Sequence, residues 1–289
     1  MQRITATFFS ALLLGYAGYA TANGFQYGFS LQQNSVSTDT YNYSVSAISG
    51  YYYLQEVKTN GIPIGEAAFL NRVPRLDGGI ELSDLTSNVY YNEDSIGYEA
   101  AYTHASPASP MTWLISLKTR NTDYSNSSGS TVGDMAYLKY RLGVGWFVAN
   151  NTHLQAIYSR EDYTATGVTA SYDYGNTYDL SAKHVILLGR GSALVLNAGY
   201  AFTDYSTNTG KNIVSGGFDY YPRLDLSIGG DFDVTSGDLT SSNGSDLLLR
   251  AISYPSRNLA LGIEYRKFTP DDATAEVVEE TRLITDFRY

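Results

Sequence analysis

The sequence predicts an all-β protein: a closed, antiparallel, up-and-down transmembrane barrel of about fourteen strands, with about twelve as the lower count. Three observations predict it. Apolar and aromatic residues recur at every second position in segment after segment, and no window shows a helical period. Clusters of Gly, Asn, Asp, Ser and Pro separate the segments, and the connections alternate between short and long. The last segment, Val278–Tyr289, puts Tyr289, Phe287, Thr285, Leu283 and Thr281 on one face and Arg288, Asp286, Ile284, Arg282 and Glu280 on the other, and it stops on an aromatic.

Residues 1–22 are set apart from the barrel, which is assigned to 23–289. Met1-Gln2-Arg3 is a short basic start, Ala6 to Ala20 is an apolar run, and Ala20-Thr21-Ala22 is an A-x-A site. This predicts a secretory signal peptide cleaved after Ala22. The run is shorter than the roughly 20 residues a helical span needs.

The strands follow in order. Phe25, Tyr27, Phe29 and Leu31 begin the pattern, and Tyr41, Tyr43, Val45 and Ala47 continue it into Tyr51-Tyr52-Tyr53. After a long link, Leu76–Leu85 is a weaker strand. Ile96, Tyr98, Ala100 and Tyr102 make the next face; Trp113, Ile115 and Leu117 oppose Ser116, Lys118 and Arg120. Leu138, Tyr140, Leu142 and Val144 oppose Lys139, Arg141 and Gly143; Leu154, Ala156 and Tyr158 follow. Tyr178, Leu180 and Ala182 oppose Asp179, Ser181 and Lys183. Leu194 to Phe202 and Val214 to Tyr220 alternate in the same way. Leu224, Leu226, Ile228, Phe232 and Val234 oppose Asp225, Ser227, Asp231 and Asp233. Leu247, Leu249 and Ala251 oppose Leu248 and Arg250; Leu259, Leu261, Ile263 and Tyr265 oppose Glu264 and Arg266.

The short connections are Ser106–Pro110, Ala149–Thr152, Gly189–Ser192, Tyr221–Arg223 and Pro255–Asn258; the longer ones include Asp123–Gly133, Tyr163–Asn176 and Thr235–Gly244. Short turns at one end and long loops at the other fit a barrel with its short turns in the periplasm. Trp146, Phe147, Tyr220, Tyr221, Tyr254, Phe287 and Tyr289 beside the short turns, and Tyr124, Tyr163, Tyr205 and Phe268 beside the long loops, are expected to form interfacial girdles. An unpaired backbone group in hydrocarbon costs several kcal/mol, so the last strand is expected to pair with the first.

Composition agrees. The chain has 27 Tyr and no Cys, and a formal net charge of −10. Mean hydropathy is −0.21, as for a barrel with one wet face per strand. The acidic balance speaks against a nucleic-acid partner, and the absence of Cys excludes a disulfide framework. His104, His153 and His184 stand in no evident triad spacing. Neither catalysis nor a cofactor is expected. Asp231, Asp233 and Asp238 lack the glycine and terminal Glu of a Ca²⁺ loop.

The aromatic-ended last strand resembles the C-terminal signature of bacterial outer-membrane barrels. The link after the Tyr-rich second strand reads Gly61-Ile62-Pro63-Ile64-Gly65-Glu66-Ala67-Ala68-Phe69-Leu70-Asn71-Arg72. It resembles an element of a family of general porins of Gram-negative bacteria. Asn176 to Lys183 and Tyr220 to Gly230 are similar to that family's strand–turn units. The resemblance implies an outer-membrane location, passive diffusion of small hydrophilic solutes, and assembly through the C-terminal strand by the barrel-assembly machinery. It implies no catalytic set. Leu247-Leu248-Leu249 departs from the more polar strand start of that family.

The candidate pore-lining residues are Lys118, Arg120, Lys139, Arg141, Asp179, Lys183, Asp225, Asp231, Asp233, Arg250, Glu264, Arg266, Arg282 and Asp286; Phe287 and Tyr289 are the assembly signature. Lys118, Arg120, Lys139 and Arg141 would form a basic strip facing an acidic one of Asp225, Asp231, Asp233, Glu264, Glu280 and Asp286, giving a transverse field. The alternative is cross-strand pairing in a closed barrel. The expected partners are outer-membrane lipid and small solutes, around a monomer. The Leu54–Arg72 link is the one candidate for a constriction and is expected at the periplasmic mouth.

Overall fold

The computed structural model describes residues 24–37, 41–87, 92–126, 130–168, 174–189, 191–207, 209–238, 243–272 and 277–288. The expected leader and Tyr289 lie outside them. Fourteen strands run in chain order: β1 (Gly24–Ser37), β2 (Tyr41–Lys58), β3 (Arg75–Ser87), β4 (Asn92–Ser106), β5 (Ser109–Ser125), β6 (Thr131–Ala149) and β7 (Thr152–Thr166). Then come β8 (Tyr174–Gly189), β9 (Ser192–Tyr205), β10 (Gly210–Arg223), β11 (Leu226–Gly237), β12 (Gly244–Ser256), β13 (Leu259–Pro270) and β14 (Val278–Arg288). Each pairs antiparallel with its sequence neighbours. β14 closes on β1 in a register running from Gly28↔Arg288 to Val36↔Glu280. The weaker strand expected at Leu76–Leu85 takes its place as β3.

The alternation resolves into an inside-out protein. Leu283 is 61% exposed, Leu180 59% and Leu142 50%, whereas Thr112, Ser116, Thr122, Ser159 and Ser227 are buried. A soluble sandwich would do the reverse, because burying apolar area is what holds two sheets together. An outward apolar belt over polar inward residues is the arrangement of a barrel in lipid, where closure leaves no strand edge unpaired. Among the described residues no helix is long and apolar enough to cross a membrane.

One end carries two-residue turns, Pro107–Ala108, Asn150–Asn151, Leu224–Asp225 and Arg257–Asn258. In the β8–β9 turn Gly189 and Gly191 take φ of 82° and 81°, a region only glycine enters freely. The exception at this end is the link between β2 and β3. It folds back into the barrel as a 3₁₀ turn (Ile64–Glu66) and a short helix, α1 (Ala67–Asn71).

The aromatics at this end divide by parity. Trp146 and Tyr220 face out, 51% and 42% exposed. Phe147, Tyr221 and Tyr254 are buried inside, so the girdle expected of them is corrected: each is one residue out of phase with the outward set. Tyr205, 8% exposed, and Tyr163, on the parity of inward Glu161, leave the other expected girdle for the same reason.

Candidate functional site

The inward link forms a floor across the barrel. It is seated from several sides. The Ile64 amide donates to the Leu224 carbonyl (3.1 Å) in the β10–β11 turn, and Arg288 Nη1 of β14 donates to the Ile64 carbonyl (3.3 Å). Tyr221 Oη of β10 donates to Glu66 Oε1 (3.4 Å). Lys183 Nζ of β8 lies 2.5 Å from Glu66 Oε2, off the hydrogen-bond direction, so this contact is an ion pair. Phe69 packs on Phe147 and His153 at centroid distances of 5.2 and 6.2 Å, with Lys183 Nζ 4.8 Å from its ring centre.

Two apolar clusters hold the ends of the link. Ile64, with Phe69 and Leu70 beside it, packs on Val185, Val195, Tyr221 and Tyr254; Ala67, with Ile62 and Ala68, packs on Phe25, Tyr53 and Val57. Asn71 Nδ2 ties the helix end back to the carbonyls of Lys58 and Ala67. Arg72 then turns the chain in the left-handed region, at φ 52°, the sole non-glycine residue to do so among those described. That conformation costs roughly 1 kcal/mol. It is offset where the Arg72 guanidinium sits 4.0 Å from the Phe147 ring centre and donates to Asn150 Oδ1 (3.2 Å).

Above the floor lies a cavity of about 1030 Å³. Phe69, Arg72, Phe147 and His153 line its lower part; Arg141, Asp179, Lys183, Asp231, Asp233 and Arg266 are among the charged residues on its wall. Leu248 also faces it, whereas Leu247 and Leu249 face out, so the unusual Leu247-Leu248-Leu249 places a single apolar residue in the lumen.

Most inward cations are paired. Glu81 of β3 takes both Lys118 (3.2 Å) and Arg120, and Glu161 of β7 takes Lys139 (2.7 Å). On the far wall Arg250 is held by Asp219 (2.6 Å) and Asp231, Arg266 by Asp246, and Arg282 by Glu264 (3.3 Å) and Glu280 (3.5 Å). Glycine at 229 leaves the room this cluster needs, since a Cβ there would collide with the Asp219 carboxylate. Asp286 accepts from Arg288 Nε (2.7 Å) and from Tyr51 Oη (3.1 Å). Arg141, Asp179 and Asp233 have no ion pair among the described residues.

Two expectations are corrected here. The walls are not of single sign: Glu81 and Glu161 interleave with the basic strip, and Arg250, Arg266 and Arg282 with the acidic one. Removing a charge from bulk water favours placing its counter-charge within reach, and adjacent strands supply that reach. Asp225 is not on a lumen face. It lies in the β10–β11 turn, 44% exposed at its side chain, paired with Arg223 at 3.0 Å, because β11 begins only at Leu226.

Sequence reading missed Glu66, Glu81, Glu161, Asp219 and Asp246 as partners. Glu81 and Asp219 do sit at inward parity beside alternating outward residues. Which cation each meets depends on register, which periodicity alone leaves open. Phe287 lies on the outward face, stacked on Phe29 of β1 at 4.8 Å, so the assembly-signature residue within the described chain sits on the closing seam.

No known family and no curated protein matches the sequence. Solved structures do match. The chain is similar to the outer membrane protein Omp33 of Acinetobacter baumannii, with a TM-score of 0.58 and 18% identity over 93% of this chain and 100% of that one. The shared property is the fold. The toluene transporter TodX of Pseudomonas putida aligns with a TM-score of 0.51 and 9% identity, over 93% of this chain and 90% of TodX. The CymD monoaromatic hydrocarbon channel aligns at 0.50 and 11%, over 93% and 88%.

Proposed function

We propose that this chain is a channel of the Gram-negative outer membrane through which small hydrophilic solutes and ions diffuse passively. The observation that carries the reading is the lumen cavity of about 1030 Å³, walled by charged side chains inside a barrel whose outer face is apolar. Polar walls let a solute exchange its hydration shell for protein groups. The short-turn end, with the floor, faces the periplasm, and the long loops face outward. The mature chain follows cleavage after Ala22, enters the membrane through the assembly machinery by way of its C-terminal strand, and works as a monomer without a cofactor. It is not an enzyme.

A second reading rests on the floor itself. With the link seated by Leu224, Tyr221, Lys183 and Arg288, the barrel could serve as a closed structural or adhesive unit. Purified protein that migrates as folded in unheated gels is the sample in which conductance separates the two. Discrete conductance steps in planar bilayers, and liposome swelling that slows as sugar size rises, support the channel. Folded protein with neither property overturns it in favour of the closed barrel.

A further inference from the structure

Arg141 differs from most of the lumen cations. Lys118, Arg120, Lys139, Lys183, Arg250, Arg266 and Arg282 each hold a carboxylate; Arg141 faces the cavity with no ion pair among the described residues. Its register partners are Ser116 on β5 and Ser159 on β7, and the nearest inward carboxylate on those strands, Glu161, holds Lys139. Two strands along the wall, Asp179 of β8 faces the same cavity, likewise without an ion pair among the described residues. Asp179 is in register with Ile157, two positions from Ser159. Strand spacing and rise put the two Cα atoms about 12 Å apart. Ser159 and Ile157 of β7 lie between them.

We propose that Arg141 and Asp179 form a binding subsite for a small zwitterion, a free amino acid, with its carboxylate on the Arg141 guanidinium and its ammonium on Asp179. The chemistry fits the spacing. No ion pair joins the two groups, and about 12 Å of wall is a span that one small molecule can bridge between their side chains. A guanidinium presents a planar fork to a carboxylate. A carboxylate offers acceptors to an ammonium's three donors. Ile157 gives the ligand's carbon skeleton an apolar rest between the charged ends. Glu99 also lines the cavity two strands from Arg141 on the other side. It is in register with Lys118, whose charge opposes an ammonium there, so Asp179 is the ammonium's partner.

The transport arm of the test rests on the channel reading; the binding arm does not. Glycine and glycolamide are isomers, one a zwitterion and one neutral, so size cancels between them. In liposomes, wild-type protein should pass glycine faster than glycolamide at low concentration, with the glycine rate saturating. R141Q and D179N should each lower the glycine-to-glycolamide ratio about threefold, the scale of one solvent-reached ion pair. E99Q should leave it unchanged. Equal rates in wild type and both variants overturn the subsite and leave the channel standing. If neither solute passes, titration calorimetry of glycine into the folded protein in detergent decides. Heat that is present in wild type and weakened in R141Q and D179N upholds the subsite in a closed barrel, and its absence in wild type overturns it.

Discussion

Lys183 reaches from the barrel wall to within 2.5 Å of Glu66 on the floor, and the Glu66 side chain is only 7% exposed. This pair joins the inward link to β8. In Lys183→Met a buried carboxylate loses its counter-charge, at a cost of about 1–3 kcal/mol to the seated floor. The expected outcome is larger and noisier single-channel conductance with unchanged gel mobility of the folded barrel. Conductance traces identical to wild type would show that the floor does not limit the current.

Gly65 is tightly enclosed for a different reason. A Cβ there would lie 2.5 Å from the hydroxyls of both Tyr221 and Tyr254. Gly65→Ala should therefore lift the link and reproduce the Lys183→Met conductance. Adding Tyr221→Phe and Tyr254→Phe removes the obstructing oxygens and should restore wild-type conductance at least in part. Failure of that rescue would place the cause in backbone flexibility or in the Tyr221–Glu66 hydrogen bond that the rescue removes, rather than in space.

The seam between β14 and β1 makes its own prediction. Phe287 and Phe29 are register partners and stack at 4.8 Å on the outer face. Replacing Phe287 by Ser, or deleting Tyr289, should lower the amount of heat-modifiable barrel in the membrane severalfold. Arg282→Gln, on the inward face of the same strand, should leave that amount intact and shift the reversal potential. Equal losses from both kinds of change would mean that the strand's two faces do not divide assembly from lumen chemistry.

Arg250 is the centre of the far wall, held by Asp219 and Asp231. Arg250→Gln leaves two carboxylates without their cation in a setting where Arg250 and Asp219 side chains are 16% and 11% exposed. We expect a drop of about 3 kcal/mol in stability against guanidinium, together with a stronger preference for cations over anions. A reversal potential that moves toward anions would contradict the lumen placement of this cluster.

The strands were legible because a period-two pattern needs only neighbours in sequence: Leu138, Tyr140, Leu142 and Val144 announce β6 without reference to any other part of the chain. The seam was legible because lipid forbids an open edge. The pairing of charges was not. That Lys118 and Arg120 share Glu81, across β4, follows from which strand lies two places away and at what height, and no local pattern carries that information. The floor was half legible. The link's lack of alternation set Leu54–Arg72 apart, but its seat inside the barrel is made by Tyr221 and Tyr254, expected in the interfacial girdle, and by Arg288, expected only on the charged face of the last strand.

The floor also fixes an order of events. Its contact with Arg288 joins positions 224 residues apart, and its partners Tyr221 and Tyr254 arrive late in the chain as well. The link is made early, yet its seat is not complete until the final strand has docked beside the first. The last contacts of the base are therefore made together with, or after, closure of the wall. Docking of the link is then a completion step, one that a chain lacking its last strand could never reach.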